Sequence, residues 1–559
     1  MRAWAPRKIR ANYNPLVRWM FQFRRLLPVL LLTLCLLPAS ARSQQPSAEP
    51  EAVAPARGRL ILILPFENNT GEPNLDWIGE GAADIFSRRL DAAGFLTINR
   101  DDRLYALDRM GLPPDFVPSR ATTIRIAQLL DADSVIIGSY KLTGDQFTAT
   151  ASILDMHKLV LTKAPIERKG QLKDLLDTLN GLAWDVARTL DPTYSVAERT
   201  FLAADAPLSP GAFENYVRGM IAEAPADRIS HLNDAVKLCP TFTPARLELG
   251  KAYFANQDYQ SAATTFGQMP RDAPNALEAD FDRGLAFFYT AQYLKAEDAF
   301  AFVATQLPLA EVVNNQGVAA SRRGRDGTAL FRQAIAADPH DEDYHFNLTL
   351  ALLKKNDRAG AATEIEAALK LRPSDNDARQ VAAAIKKPAS IKAVTANSDD
   401  DSLPLERIKR NYNETEFRQA AFEMEQLQAV TLAALPPEQR AAKLVKDGDQ
   451  FLNLGLILEA EREYQAALSA DSSSALAHAG LAQVREHSQD DKAAREEAQR
   501  SLSLAPNLTA YLVLARLDLD DKHLSAAAHD ISAALRLDPA SASAKNMKQK
   551  LEAQGQQVP

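Results

Sequence analysis

Cysteine is almost missing from this chain: Cys35 and Cys239 are the only two in 559 residues. Two thiols cannot build a disulfide framework, so the fold has to be held by packing. Aromatic residues make up only 7% and glycines number 23, which excludes collagen-like and low-complexity chains. A positive excess is missing as well. The formal net charge of −8 argues against a duplex-binding protein, which needs a dense basic face. The sequence also lacks His-Glu-x-x-His, paired-cysteine metal patterns, a Gly-Lys-Ser/Thr loop and Gly-x-Ser-x-Gly, and its eight histidines are scattered. What is present is 46% hydrophobic and 24% charged residues. At roughly 150 residues per domain this is the balance of a soluble, mostly helical protein of three or four units.

The N-terminus carries an address. Arg24 and Arg25 precede a leucine-rich run, Leu26–Pro38. That run is far shorter than the roughly 20 residues of a membrane span. Ala39, Ser40 and Ala41 then give the small-x-small pattern of a signal-peptidase site, with Ala39 and Ala41 as the recognised pair. Residues 1–41 read as a signal peptide, with an uncleaved anchor as the alternative, and Met20 is the expected true start. Leu32-Thr33-Leu34 puts a bulky residue where lipid attachment at Cys35 wants a small one, so Cys35 belongs to the apolar run. Removing seven basic residues and no acids would take the net charge from −8 to −15. Such a balance disfavours nucleic acid and anionic membrane surfaces. The expected location is exported, in a bacterial periplasm or outer envelope. The mature chain would have no transmembrane span, with peripheral envelope association left open.

Residues 42–57, rich in Pro, Ala, Gln and Glu, read as a flexible leader. Residues 58–192 read as an α/β domain. Leu60–Leu64 is an apolar run ended by Pro65, as in a strand buried on both faces. A polar loop from Glu67 to Pro73 follows, and then a helix from Trp77 to Ala92. Phe95–Ile98 and Ser134–Tyr140 are further strands, the latter after a helix over Thr122–Leu130. Phe147, Ala149, Ala151 and Ile153 alternate with polar residues and pair by a turn with Leu159–Lys163. A helix over Gly170–Leu190 closes the unit. Leu64-Pro65-Phe66-Glu67-Asn68, Thr70-Gly71 and Ala132-Asp133-Ser134-Val135-Ile136-Ile137-Gly138-Ser139-Tyr140 resemble the N-terminal domain of TolB-type periplasmic proteins. The resemblance implies an interaction domain without catalysis.

The rest of the chain repeats. Pro240, Pro274, Pro308, Pro339 and Pro373 are spaced 34, 34, 31 and 34 residues apart, and Pro506 and Pro539 are 33 apart. Fixed offsets hold inside the period: Leu249, Gly250, Tyr253, Ala262, Phe266 and Pro274 match Gly284, Phe287, Ala296, Phe300 and Pro308. Gly448, Phe451, Ala460, Tyr464 and Ala467 continue the pattern distally. Small residues let two helices approach, large ones fill the gap, and proline stops the second helix. A period near 34 with this pattern resembles the tetratricopeptide repeat, or TPR, a pair of antiparallel helices per unit. The fold class expected is therefore α+β multidomain: a TolB N-terminal-like α/β domain, then an all-α TPR solenoid in two blocks. The blocks are expected at 206–387, opened by a degenerate unit, and 405–555, with an acidic linker at 388–404 between them.

First helices of such repeats line a concave face. By offset, Leu247, Lys251, Phe254, Phe281, Leu285, Phe288 and Tyr289 line it in the first block, followed by Asn314, Arg322, Phe346, Leu350 and Lys354. Aromatic anchors beside cations suit an extended peptide. Asn314 and Arg322 alone do not make the known TPR clamp for C-terminal carboxylates. Two polar clusters, His340–His345 with Asp341, Glu342 and Asp343, and Asp518, Asp520, Asp521 with His523, read as solvated turns in preference to metal sites. The expectation is a non-enzymatic envelope scaffold that binds protein partners, with no catalytic residue, cofactor or metal. Two alternatives stand beside it: an envelope sensor or enzyme holding a small ligand near Asn68–Glu72, and a subunit of an outer-membrane secretion or assembly apparatus.

Overall fold

A computed structural model describes residues 59–204, 208–271, 273–386, 404–412, 424 and 426–558. The expected signal peptide with Cys35, Ala39 and Ala41, the leader, and residues 388–403 of the linker lie outside the described residues. An N-terminal α/β region is followed by a long run of helices. Contacts divide the chain into two compact units. One contains Asn99–Tyr105 and Gly211–Arg418, and the other Pro50–Ile98, Ala106–Pro210 and Gln419–Pro559.

In the second of these units the sheet is mixed. Strands β1 (Leu60–Ile63), β3 (Leu96–Thr97) and β4 (Ser134–Thr143) are parallel, with β1 in the middle. β5 (Gln146–Asp155) runs antiparallel to β4 over ten residue pairs, from Ser134↔Asp155 to Thr143↔Gln146. Ile61, Leu62 and Ile63 of β1 are buried, as a strand covered on both faces requires. Helices α1 (Trp77–Ala92) and α4 (Leu175–Leu190) contact each other and bury Ile78, Phe86, Leu90, Leu179, Leu182 and Val186. Two further helices, α2 (Arg100–Arg109) and α3 (Arg120–Leu129), lie between β3 and β4 in the chain.

Several local expectations change. β2 (Glu67–Asn68), read as loop, pairs with β4, and β6 (Val160–Leu161) is the short partner of β5. The helix expected from Gly170 begins at Leu175, because Ile166–Gln171 is a strand, β7, antiparallel to β5 from Ala151↔Ile166 to Gln146↔Gln171. Every other residue of β7 is exposed, so its Ile-Glu-Arg-Lys-Gly-Gln sequence carries almost no apolar signal. The backbone hydrogen bonds to β5 decide its conformation.

The same unit contains the distal repeats: α17 (Pro437–Asn453), α18 (Ile457–Ala470), α19 (Ala475–His487), α20 (Asp491–Leu504), α21 (Leu508–Asp520), α22 (Leu524–Leu537) and α23 (Ala542–Ala553). A short helix after α4, α5 (Glu198–Ala203), packs on α18 and α19. The Ala197 N–H donates to Glu461 Oε1 at 2.9 Å, and Arg485 forks onto both Glu461 oxygens at 2.7 Å while also donating to Thr200 Oγ1 at 2.7 Å. Glu461 and Thr200 are fully buried. From the α/β side, Arg89 of α1 donates to the carbonyls of Phe201 (3.0 Å) and Leu202 (3.2 Å), which satisfies the C-terminal end of α5.

The other unit is a run of helix pairs: α6 (Pro210–Ile221) with α7 (Pro225–Leu238), α8 (Thr243–Ala255) with α9 (Tyr259–Phe266), α10 (Ala276–Tyr289) with α11 (Tyr293–Gln306), α12 (Ala310–Arg322) with α13 (Thr328–Ala337), and α14 (Glu342–Lys354) with α15 (Arg358–Leu371). α16 (Asn376–Lys386) ends it. A methyl group on Gly250 would meet the Phe266 ring at 2.4 Å, and one on Gly284 would meet Phe300 at 2.7 Å. That close approach is why a small residue recurs at this offset. The aromatic that fills each gap is itself buried, and truncating Phe300 to Ala would cost about 3–5 kcal/mol.

Candidate functional site

Residues 404–412, Pro-Leu-Glu-Arg-Ile-Lys-Arg-Asn-Tyr, adopt neither helix nor strand. They were expected to end the linker and open the second block. They instead lie against the first helices of the first block. The contacts that hold them are regular. Asn347 Nδ2 donates to the Arg407 carbonyl at 2.8 Å, and its Oδ1 accepts from the Arg407 N–H at 2.7 Å. Asn315 does the same to Lys409: its Nδ2 donates to the carbonyl at 2.7 Å, and the Lys409 N–H donates to its Oδ1 at 2.7 Å. Each amide therefore satisfies one whole peptide residue, donor and acceptor together, on alternate residues of the segment. Asn314 joins the two, donating to the Arg407 carbonyl at 3.1 Å and accepting from Asn347 at 2.8 Å. All three asparagines are fully buried, and buried amides are stable only when their polar atoms are paired in this way.

Side chains fix the register. Glu406, 7% exposed, is bound by Ser321 Oγ at 2.5 Å, by Lys354 and by Arg322 at 3.1 Å. Burial pushes the Glu406 carboxyl up, but the hydrogen bonds from Lys354 and Ser321 outweigh it and hold it below the usual carboxylate range. Arg407 reaches Asp375 at 2.6 and 2.9 Å and Asp343 at 3.0 Å, with its guanidinium 3.8 Å from the Phe346 ring centroid. Lys409 pairs with Asp341 and Asp343, both at 2.7 Å, 5.2 Å from the Tyr344 ring centroid. Burial raises Asp343 and Asp375 as well, yet Lys409 and Arg407 hold Asp343 below the ordinary range, and Arg407 with the Ala378 N–H does the same for Asp375. Ile408 packs on the cores of both flanking repeats, and Tyr412 meets Phe281 at 4.8 Å between ring centroids. The segment thus runs from α14 back to α10, against the order of the repeats.

Of the residues placed on the concave face by offset, Phe281, Asn314, Arg322, Phe346 and Lys354 touch this segment, and Tyr289 lies under Arg410 with its ring centroid 5.9 Å from the guanidinium. Leu247, Leu285 and Leu350 are buried in the packing between helices. Lys251 is tied to Glu248 and Glu278, both at 2.9 Å. Phe254 and Tyr289 form an aromatic cluster with Tyr259, and Phe288 packs on Tyr289 and Tyr293 beside Arg322. Sequence reasoning missed Asn315, Asn347, Asp341 and Asp343. The asparagines share one offset, two residues before the small positions Gly317 and Thr349, and that recurrence was the available signal.

The other polar clusters resolve differently. Asp341 and Asp343, read as a solvated turn, are the anions that hold Lys409 and Arg407, while His345 bonds to Glu364 at 2.7 Å. Asp518, Asp521 and His523 bring ligand atoms within 4.8 Å of one another, but both carboxylates are paired with Arg495, at 2.6 and 2.9 Å. In the α/β domain the Asn68–Glu72 loop spends its polar groups on itself. Asn68 Nδ2 donates to Asp76 (2.6 Å) and the Glu72 carbonyl (3.0 Å), and its Oδ1 accepts from the Thr70 N–H and Oγ1. Among the described residues no helix is long and apolar enough to cross a membrane.

The tetratricopeptide repeat family matches residues 315–378 and 446–508, one stretch in each helical block. Both blocks carry tetratricopeptide repeats. No curated protein matches the chain. Solved structures with similarity include MamA (residues 41 to end) from Desulfovibrio magneticus RS-1, at 21% identity over 30% of this chain and 99% of that one, with a TM-score of 0.29. YrrB, described as a TPR protein with an unusual peptide-binding site, shows 16% identity over 31% and 88%, with a TM-score of 0.27. The LpoB C-terminal domain from Escherichia coli shows 18% identity over 22% and 87%, with a TM-score of 0.19. The TPR groove of the first block is the one in which a peptide segment is seated on the described residues.

Proposed function

We propose that this protein is a non-enzymatic TPR scaffold that holds extended segments of protein partners in the groove of its first block. The observation that carries the reading is the pair of amides, Asn315 and Asn347, each gripping both backbone groups of one residue of an extended chain. Such contacts recognise a peptide whatever its side chains, and the aromatic and charged walls then select among sequences. The setting belongs to the same proposal: Arg24-Arg25, the short apolar run and Ala39-x-Ala41 support export to a bacterial envelope, and the TolB-like residues of the first domain suit it. The decisive experiment is capture from envelope extract by the full chain beside its Asn315→Ala, Asn347→Ala variant, both checked for folding by circular dichroism. A partner held by the first and lost by the second, and reduced to one extended peptide by truncation, is the expected result. Equal capture by both would place binding elsewhere.

A further inference from the structure

The groove of the first block is already filled, and its occupant belongs to the chain itself. We propose that residues 404–412 are an internal stand-in for the partner, and that the groove's external ligand is an extended peptide of the same chemistry: acid, base, aliphatic, base, then an aromatic three residues on. The proposal rests on the peptide-groove reading above and deepens it by naming the ligand class and the competition.

Three observations carry it. The groove is chemically matched to this pattern at successive residues: Ser321, Arg322 and Lys354 for an acid, Asp343 and Asp375 with Phe346 for the first base, Asp341 and Asp343 for the second, and Phe281 for the aromatic. A charge reversed at either wall would leave a buried ion unpaired, which is how such a site rejects the wrong sequence. Second, the backbone grip of Asn315 and Asn347 is indifferent to which chain supplies the peptide. Third, the occupant is held like a ligand at its surface: Leu405 is 66% exposed, Arg410 is exposed, and Arg407 is only partly covered. Glu406 is buried, whereas the contacts of Arg407 and Lys409 are only partly covered, so a competitor can reach the segment at its exposed residues and at this part of its rim.

Because Pro404 follows the last helix of the block by a short stretch of chain, the segment is present at its own groove at roughly millimolar effective concentration. A partner must beat that, so the apparent affinity falls by the fraction of time the groove is open. Weakening the segment without touching the groove should raise affinity for an added peptide by about tenfold or more.

The test uses a fluorescent synthetic peptide with the sequence of residues 402–414 as probe, titrated by anisotropy into three full-length proteins. These are the unaltered chain, Arg407→Ala with Lys409→Ala, and that pair combined with Asn315→Ala and Asn347→Ala. The expected result is weak binding to the first, binding at least about tenfold tighter to the second, and none to the third. A second probe with Glu at the Arg407 and Lys409 positions should fail on all three. Equal binding of the first probe to the unaltered chain and to the Arg407/Lys409 variant, lost in the third protein, overturns the internal-competitor proposal while the groove reading survives. Equal affinity of both probes for the second protein overturns the assigned ligand chemistry. No binding to the second protein, with its circular dichroism spectrum unchanged, overturns both the proposal and the groove reading.

Discussion

Each TPR block holds a piece of its own chain that lies outside its repeats, and the two are held differently. The distal block seats α5 on α18 and α19 through Glu461 and Thr200, both fully buried, with Arg485 closing the network. The first block seats residues 404–412 through backbone amides at its centre, one buried carboxylate, Glu406, and ion pairs of Arg407 and Lys409 that reach to a wet rim. Burying an ion pair completely makes a joint costly to open, since removing the partner leaves a charge with neither water nor counter-ion. Partly exposed pairs around a backbone grip can be exchanged residue by residue with a similar chain. The first kind of contact builds a domain assembly; the second is suited to a ligand.

The residues behind this contrast sit at one offset. Two positions before the small residue of the first helix, the first block has Glu248 and Asp282 and then Asn315 and Asn347 in the two repeats under the segment, while the distal block has Lys446, Gly480 and Val513. An amide there can pair with both groups of a peptide; glycine and valine side chains cannot.

The contrast can be broken from the larger effect to the smaller. Glu461→Ala leaves Arg485, with its side chain 12% exposed, without its anion, and should destabilise the distal unit by about 3–5 kcal/mol, read as a fall in urea midpoint. An unchanged midpoint would make the joint as exchangeable as the groove. Asn347→Ala removes two backbone hydrogen bonds from the segment and should weaken its docking by about 1–3 kcal/mol. Trypsin should then cut after Arg407, Lys409 or Arg410 about tenfold faster or more, at unchanged helix content.

Acid should undock the segment. Glu406, Asp343 and Asp375 have carboxyls held below their ordinary values in the docked state. A depressed pKa contributes stability that is complete above the free value, about 4, and is lost as pH falls through the docked value. Docking is therefore full near neutrality and weakens only in acid below about pH 4, measured by hydrogen exchange of residues 404–412. Loss of docking near neutral pH would show that these carboxylates do not carry it. The smallest effect belongs to the rim: Asp377, whose side chain is 59% exposed, reaches Arg407 at 3.4 Å, and Asp377→Asn should change docking by less than about 0.5 kcal/mol.

What the sequence revealed follows the range of the interactions. The repeat register was legible because Gly250, Ala262, Phe266 and Pro274 each answer to neighbours within one helix pair, so the period itself records the packing. β1 and α1 were legible for the same reason, through local apolar pattern. β7 was not, because an edge strand made of Ile-Glu-Arg-Lys-Gly-Gln is specified by its pairing with β5 and hardly by its own pattern. Residues 404–412 read as the end of the linker and the start of the second block because their partners, Asn315 and Asn347, lie 94 and 60 residues away. The candidate groove was legible through its aromatics, its cations and Asn314, whereas Asn315 and Asn347, which grip both backbone groups of one residue each, carry no apolar or charged signal.

The most direct measurement is hydrogen exchange of the amides in residues 404–412 of the full chain at neutral pH, followed by mass spectrometry. The account predicts that the Arg407 and Lys409 amides, which donate to Asn347 and Asn315, are protected, and that Asn315→Ala with Asn347→Ala abolishes the protection without altering that of α12 and α14. Exchange of this segment at the rate of a free peptide in the unaltered chain would contradict it.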